Sequence, residues 1–227
     1  MIVRGIMTAK NHKLAIIVPY RDRANHLAQF VPHMKAHLAD QGIENTIYVI
    51  EQEAGKPFNR AKLLNIGFLE ARADHDYFVF HDVDMLPNGI DYGYRDTPTH
   101  LAFAASQFSG GMPYPGYFGG ATMFNKASFE SVNGFSNEYW GWGAEDDDIL
   151  LRCKYSNLRI ERPSHGTMTS LSHKRDTDAV SHSKNSSRLE KMRRGAVDWR
   201  SDGINSCNYS AVTHKAESNL RLIKAGI

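Results

Sequence analysis

Five apolar residues in a row, Leu14-Ala15-Ile16-Ile17-Val18, closed by Pro19, constrain this chain more than any other stretch. An alternating strand would leave one face wet, whereas a continuous apolar run fits a strand buried on both faces, as in a parallel sheet covered by helices. The next segment has helical spacing, with Leu27, Phe30, Val31, Met34 and Leu38 on one face. Pro32 interrupts it and predicts a kink or a broken first turn, since a proline ring removes a hydrogen bond and crowds the preceding turn. Thr46 to Ile50 reads as a second strand, Arg60 to Arg72 as a second helix, and Tyr77 to Phe80 as a third strand ending at His81-Asp82-Val83-Asp84. Strand and helix in alternation specify an α/β fold with a doubly wound, mostly parallel sheet, whose ligands bind beyond the carboxyl ends of the strands.

A length of 227 residues with 41% hydrophobic content suits one core and one domain spanning 1–227. Residues 14–107 form its strand-and-helix half. Residues 108–227 are richer in glycine, aromatics and loops, with a polar, mobile loop expected at about 173–200, where Ser181, Ser183, Ser186 and Ser187 crowd together. A net charge of +2 gives no argument for a nucleic-acid partner, and the eleven histidines are not gathered in a spacing that reads as a zinc site. Cys153 and Cys207 imply no disulfide framework. Met1 to Lys13 has no apolar run resembling a signal peptide, and no segment approaches the roughly 20 apolar residues that span a bilayer. The expectation is a cytoplasmic chain, or a fragment trimmed of its anchor, with no transmembrane segment.

Chemistry concentrates in Trp140-Gly141-Trp142-Gly143-Ala144-Glu145-Asp146-Asp147-Asp148. Four adjacent carboxylates raise one another's pKa unless a helix N-terminus, a cation or a polyhydroxyl ligand compensates. An acid-rich first helical turn accounts for two of them, not four. Tryptophans flanking a glycine offer flat faces for sugar rings, so the block reads as a saccharide site containing a base.

Asp82 and Asp84 lie one residue apart at the end of an apolar strand, where two hard carboxylates can grip Mn2+ or Mg2+ bridging a diphosphate. A strand-ending turn capped by carboxylates is the plainer alternative. Arg21, Arg23 and Arg60 can each present a planar fork to phosphate or to a carboxylate, and each taken singly is equally compatible with a surface ion pair. Phe58-Asn59-Arg60-Ala61-Lys62 opens a helix whose N-terminus, preceded by an aromatic, can hold a nucleotide; a core role for Phe58 is equally compatible.

Together these blocks resemble the β-1,4-galactosyltransferase family, inverting enzymes of GT-A fold that use UDP-galactose and Mn2+. The resemblance runs from Leu14 to about Tyr209 and includes Ile17 to Arg23, Phe58 to Asn65, Asp82 to Asp84, Tyr117 to Gly120, Trp140 to Asp148, and Ser201 to Ser206. It implies that Pro19, Tyr20, Arg21, Arg23, Phe58, Arg60, Asp82, Val83, Tyr117, Gly120 and Trp142 hold the UDP-sugar. It makes Asp146 the base that deprotonates the acceptor hydroxyl. Tyr114, Trp142, Gly143, Glu145 and Asp147 become the acceptor contacts, and Trp142 rides on a moving loop. Asp84 and His173 are implied as metal ligands. The chain departs from the family where a third ligand is expected: Ser170 and Leu171 stand there, with Met168 the nearest thioether, so the candidates are Met168 and Ser170. A tyrosine at position 117 goes, in that family, with galactose as donor sugar.

The resemblance therefore implies transfer of galactose to a sugar hydroxyl of an oligosaccharide, polysaccharide or lipid-linked glycan, in a soluble, bacterial-type member. UDP-N-acetylgalactosamine or UDP-glucuronate as donor is one alternative reading, and a glycan-binding module without turnover is another. Lys184, Arg188, Lys191, Arg193 and Arg194 offer peripheral contact with an anionic membrane face, or a solvated loop.

Overall fold

Leu14 to Val18 form the completely buried centre of a seven-stranded sheet. The structure, a computed structural model, describes residues 12–172 and 179–227. Its elements are β1 (Leu14–Tyr20), α1 (Ala24–Asp40), β2 (Asn45–Gln52), α2 (Arg60–Ala71), β3 (Tyr77–His81), β4 (Met85–Asn88), β5 (Thr99–His100), β6 (Ala121–Asn125), α3 (Lys126–Ser131), α4 (Glu145–Tyr155), β7 (Thr167–Ser170), α5 (Ala179–Arg193), β8 (Ser210–Glu217) and β9 (Leu220–Gly226). Strand order is β5-β6-β3-β1-β2-β9-β8, with β4 and β7 pairing separately. The pairs β3–β1, β1–β2 and β2–β9 are parallel, and the antiparallel β6 and β8 lie outside them.

Because β1 is flanked by β2 on one side and β3 on the other, the chain leaves it in opposite directions, and a crevice opens at that reversal. The register pairing Ile17 with Phe80 brings the Tyr20 to Arg23 turn and Asp82 out at the same edge. The side chain of Asn59 accepts from Lys62 N at 2.9 Å and starts α2, as an N-cap should.

Three sequence expectations change. Pro32, which has no N–H to offer the carbonyl of Ala28, sits inside an unbroken α1, and Phe30, Met34 and Leu38 still bury one stripe. His33 and His37, one turn apart, stack, and their Nε2 atoms bond the carbonyl oxygens of Pro87 (2.7 Å) and Ile90 (2.8 Å), which ties α1 to the β4 segment. The polar stretch expected to be a loop at about 173–200 contains α5, whose inner stripe is Asn185, Leu189 and Met192; two apolar residues and one asparagine are too faint a pattern to announce a helix. The hairpin of β8 and β9 was not anticipated. Its tight turn at Ser218-Asn219 folds the chain's end back so that β9 completes the sheet beside β2.

Gly67 faces β1, where an added Cβ would collide with the Ile17 side chain and come within 3.1 Å of Ile50 Cγ1. Gly67→Ala should therefore destabilise the fold by about 1–3 kcal/mol through overpacking, despite alanine's better helix propensity. Urea unfolding checks this; an unchanged midpoint would contradict the tight α2–β1 packing.

Candidate active site

The carboxyl ends of β1 and β3, the start of α2 and the start of α4 converge on Arg60. Its Nε donates to Asp82 Oδ1 at 2.6 Å and its Nη1 to Asp146 Oδ1 at 2.8 Å, with Glu145 Oε1 3.5 Å away. One guanidinium thus joins Asp82, 22 positions along the chain, to Asp146, 86 positions along, with the adjacent Glu145 beside it. Burial raises the pKa of Asp146 well above the ordinary aspartate range, and the pull of Arg60 is outweighed further by Glu145, Asp82 and Asp147. Glu145 is raised by the same burial. A single cation cannot compensate three carboxylates out of water, so protonation is favoured, while Arg60 stays charged. The Asp146 side chain keeps 22% of its surface accessible, enough to meet a ligand.

The remaining acids divide. Tyr114 donates to Asp147 Oδ1 at 3.0 Å at the rim. Asp148 turns inward, accepting from Arg152 Nε at 2.6 Å and Tyr139 OH at 2.9 Å, both fully buried partners. Arg152 Nη1 continues to the carbonyls of Gly134 (3.0 Å) and Asp202 (2.8 Å). Asp148 therefore fixes α4, and three acids of the four remain at the cluster.

Tyr117 packs over Gly119, where a Cβ would strike Asp146 Oδ2 and stand 2.6 Å from Tyr117 OH, so that hydroxyl and carboxylate are neighbours. Burial, then the charge of Asp146, holds the Tyr117 phenol far above its usual pKa. Behind it, His100 bonds Gly119 O at 2.9 Å and meets the Tyr117 ring edge-on; burial lowers the pKa of His100 to about 4, so it is neutral. Gly120 O accepts from Asp82 N at 2.8 Å, joining this turn to the end of β3.

At the other side of the crevice, Pro19 is buried, Tyr20 ends β1, and Arg21 Nη1 donates to Lys56 O at 2.8 Å with its guanidinium 5.2 Å from the Phe58 ring centre. Phe58 is half-buried against the core, so the core and platform roles coexist. Arg23 stands at the N-terminus of α1, its carbonyl accepting from Leu27 N at 2.9 Å. Val83 is buried behind Asp82 and Asp84. Phe58 O accepts from Gly141 N at 2.7 Å, which joins the α2 loop to the tryptophan segment.

Several residues to which the sequence assigns no such role hold this frame. Asn65 and Asn137 are buried and bonded to each other (3.0 Å), Asn65 pairs both ways with the Phe135 backbone, and Asp202 accepts from Ser136 Oγ (2.5 Å), Asn137 N (2.9 Å) and Arg188 Nη2 (2.6 Å). Isolated asparagines in a sequence carry no signal of burial; only the asparagine inside a buried helix face, Asn65, hinted at it. Arg188 is thereby turned toward Asp202, while Lys184, Lys191, Arg193 and Arg194 all remain exposed, the two arginines pairing with Glu190 at the surface.

Two matched family models cover most of the chain: the N-terminal region of glycosyl transferase group 7 over residues 7–95, and the N-terminal domain of galactosyltransferase over 99–174. Human beta-1,4-galactosyltransferase 4 is 42% identical over 88% of this chain and 59% of its own length; mouse beta-1,4-galactosyltransferase 1 is 41% identical over 88% and 51%. The catalytic domain of Drosophila beta1,4galactosyltransferase 7, crystallised with xylobiose, is 32% identical, superposes with a TM-score of 0.82, and shares 95% of this chain and 94% of that one. The chain belongs to the β-1,4-galactosyltransferase family. A mutant of the same Drosophila protein was crystallised with manganese, UDP-Gal and xylobiose, at 31% identity and the same TM-score. The GT-A fold expected from the sequence is thus shown, and the chain spans little more than half the length of its human and mouse β-1,4-galactosyltransferase relatives.

For this galactosyltransferase chain the metal question resolves in part. Asp84 offers a hard carboxylate oxygen, the donor type Mn2+ and Mg2+ take, and its carbonyl accepts from Leu171 N at 2.7 Å, which brings the segment leading to position 173 alongside it. His173 itself lies outside the described residues. Met168, the thioether candidate, is completely buried in the core with Met85, Leu101 and Ala105, so its sulfur is turned away from solvent. The β7 backbone donates Met168 N to Ala104 O, fixing that inward orientation. Ser170 lies nearer, opposite Met85 in the β4–β7 pair, but its hydroxyl is turned to Met85 Sδ at 3.2 Å. Among the described residues no group of three His, Cys, Asp or Glu forms a ready cation cage.

Ala144, just before Glu145, adopts φ +77°, a left-handed conformation that a Cβ disfavours by about 1–2 kcal/mol. Ala144→Gly should therefore raise stability by about 1 kcal/mol, net of glycine's greater freedom when unfolded. A lower thermal midpoint would show that the Ala144 methyl packs better than its backbone is strained.

Proposed function

We propose that the chain transfers galactose from UDP-galactose to a hydroxyl of a saccharide acceptor in a β-1,4 bond, with inversion. The observation that carries this reading is Arg60 bridging Asp82 at the end of β3 to Asp146 at the start of α4, which sets a diphosphate-binding edge beside a buried, basic carboxylate. A glycan-binding module has no use for both. The Drosophila relative's complex with manganese, UDP-Gal and xylobiose supports the donor and a sugar acceptor, and Tyr117 supports galactose over UDP-N-acetylgalactosamine.

In this reading Asp146 takes the proton of the acceptor hydroxyl as its oxygen attacks the anomeric carbon, and UDP departs from the opposite face with the bonding electron pair. Raised basicity suits Asp146 to that task, since a carboxylate of ordinary pKa would be a weaker proton acceptor. Arg21, Arg23 and Phe58 bind the nucleotide, Asp82 its sugar, and Glu145, Asp147, Tyr114 and Trp142 with Gly143 the acceptor. A divalent ion held by Asp84 and His173, Mn2+ with Mg2+ as alternative, would neutralise charge on the leaving diphosphate. Arg60, engaged by three carboxylates, orients Asp146 and reaches phosphate only if it leaves one of them. A cytoplasmic setting, with peripheral membrane contact through Lys184 and Lys191, is part of the proposal; the free, buried Cys153 and Cys207 suit a reducing compartment, and no described helix is long and apolar enough to cross a membrane.

The test is UDP release from UDP-galactose with Mn2+ across terminal N-acetylglucosamine, glucose, xylose and galactose acceptors, with other UDP-sugars in parallel. Asp146→Asn should cut acceptor-stimulated release by about 10²–10⁴ while UDP still binds; retained turnover would remove Asp146 from the mechanism. Because the base must be ionised, kcat/KM should rise with pH through the pKa of Asp146, with its acid limb above the ordinary aspartate value of about 3.9. An acid limb at that ordinary value would point to a different base.

A further inference from the structure

The indole of Trp142 is 46% exposed, on a loop with positive φ at Gly141 (+75°), Gly143 (+100°) and Ala144 (+77°). Left to itself such a segment has little to define one position, yet α5 grips it at three successive points. Ser181 packs so closely on Gly141 that a Cβ there would lie 2.7 Å from the serine Cβ. The His182 ring stacks on the Trp142 indole, centroids 5.2 Å apart and planes 29° apart. The buried Asn185 amide donates to Trp140 O at 3.0 Å and to Trp142 O at 3.2 Å. Residues 181, 182 and 185 share one face of the helix.

The far side of α5 is itself anchored. Leu189 and Met192 are buried, Arg188 bonds Asp202, and Tyr155 OH donates to Met192 O at 3.2 Å. The loop is thus held between Phe58, through Gly141 N, and a helix fixed to the body. A side-chain amide satisfying two carbonyls of strained backbone favours one loop conformation over others, and aromatic stacking adds orientation to the ring it touches.

We propose that His182 and Asn185 are positioning residues for the acceptor: they act through Trp142, His182 fixing the plane of the indole and Asn185 the path of its backbone. This rests on the reading of Trp142 as an acceptor contact in a sugar transferase. His182 is therefore a determinant of acceptor affinity that is not a member of the acidic cluster.

The variants His182→Ala, His182→Phe and Asn185→Ala are compared with the unaltered chain for acceptor KM, donor KM and kcat, together with amide hydrogen exchange over residues 140–144. His182→Ala should raise the acceptor KM about 5–10-fold with donor KM within twofold, and His182→Phe should restore it by supplying a stacking ring. Asn185→Ala should speed exchange in the loop and raise acceptor KM with it. Equal rises in both KM values, or no recovery with phenylalanine, would overturn the role of His182, as would an unchanged acceptor KM. Should the unaltered chain transfer no sugar to any acceptor, the transferase reading fails separately, and unchanged loop exchange in the variants would then overturn the grip of α5 on the loop.

Discussion

A single guanidinium between three carboxylates is the interaction on which the site depends. Arg60 leaves the N-terminus of α2 and reaches Asp82 at the end of β3 and Glu145 and Asp146 at the start of α4. Without it, three acids would face one another beside a low-dielectric core, and the beginning of α4 would be pushed away from the sheet edge. With it, two of the three charges still lack a compensating partner, so the cluster retains an electrostatic demand. A cation, a sugar hydroxyl or a proton can answer that demand, and this is what makes the arrangement suited to ligands rather than merely tolerated.

Buried polar groups fix the position of α4 and its loop as strictly as the apolar core fixes the sheet. Asp148 and Arg152 form a fully buried pair one turn apart, and Arg152 also bonds the carbonyls of Gly134 and Asp202. Asp202 in turn gathers Ser136, Asn137 and Arg188, while Asn65 and Asn137 lace α2 to the same loop. Each member would be expensive to bury alone, and the network gains from their mutual bonds, although the buried Arg152 Nη2 and Arg188 Nε make no hydrogen bond. It brings the chain's last third against α2 and α4, close to where the site residues emerge.

The tryptophan loop shows how a strained segment is maintained. It is held by partners outside the loop: Gly141 N donates to Phe58 O on the sheet side, and the Asn185 amide of α5 donates to the carbonyls of Trp140 and Trp142. The indole of Trp142 then remains partly exposed while its backbone is held, the combination a recognition surface requires. The basic character of α5 is partly consumed internally, since Arg188 faces Asp202 and Glu190 takes Arg193 and Arg194.

The local sequence determined the parallel heart of the fold, because a run such as Leu14 to Val18 has no wet face and so must lie between layers, and helical periodicity supplies those layers. It also marked the candidates for the chemistry, since a strand ending in Asp82-Val83-Asp84 and an acid-rich helix start after two tryptophans are local patterns. Pro32, Met168 and α5 were not decided locally. The proline is tolerated because tertiary packing keeps α1 unbroken through it. The methionine turns inward because the β4–β7 pairing orients its side chain to the core, and α5 forms because Asn185 bonds the Trp140 and Trp142 carbonyls, Arg188 bonds Asp202, and Tyr155 bonds the Met192 carbonyl. The β8–β9 hairpin joins β2 for the same reason: its edge partner lies far away in the chain. Only the tertiary structure could decide that Arg60, read as a phosphate ligand, pairs with Asp82, Glu145 and Asp146, and that of four consecutive acids Asp148 faces the core, because which charges meet depends on the distances between chain segments that no local pattern encodes.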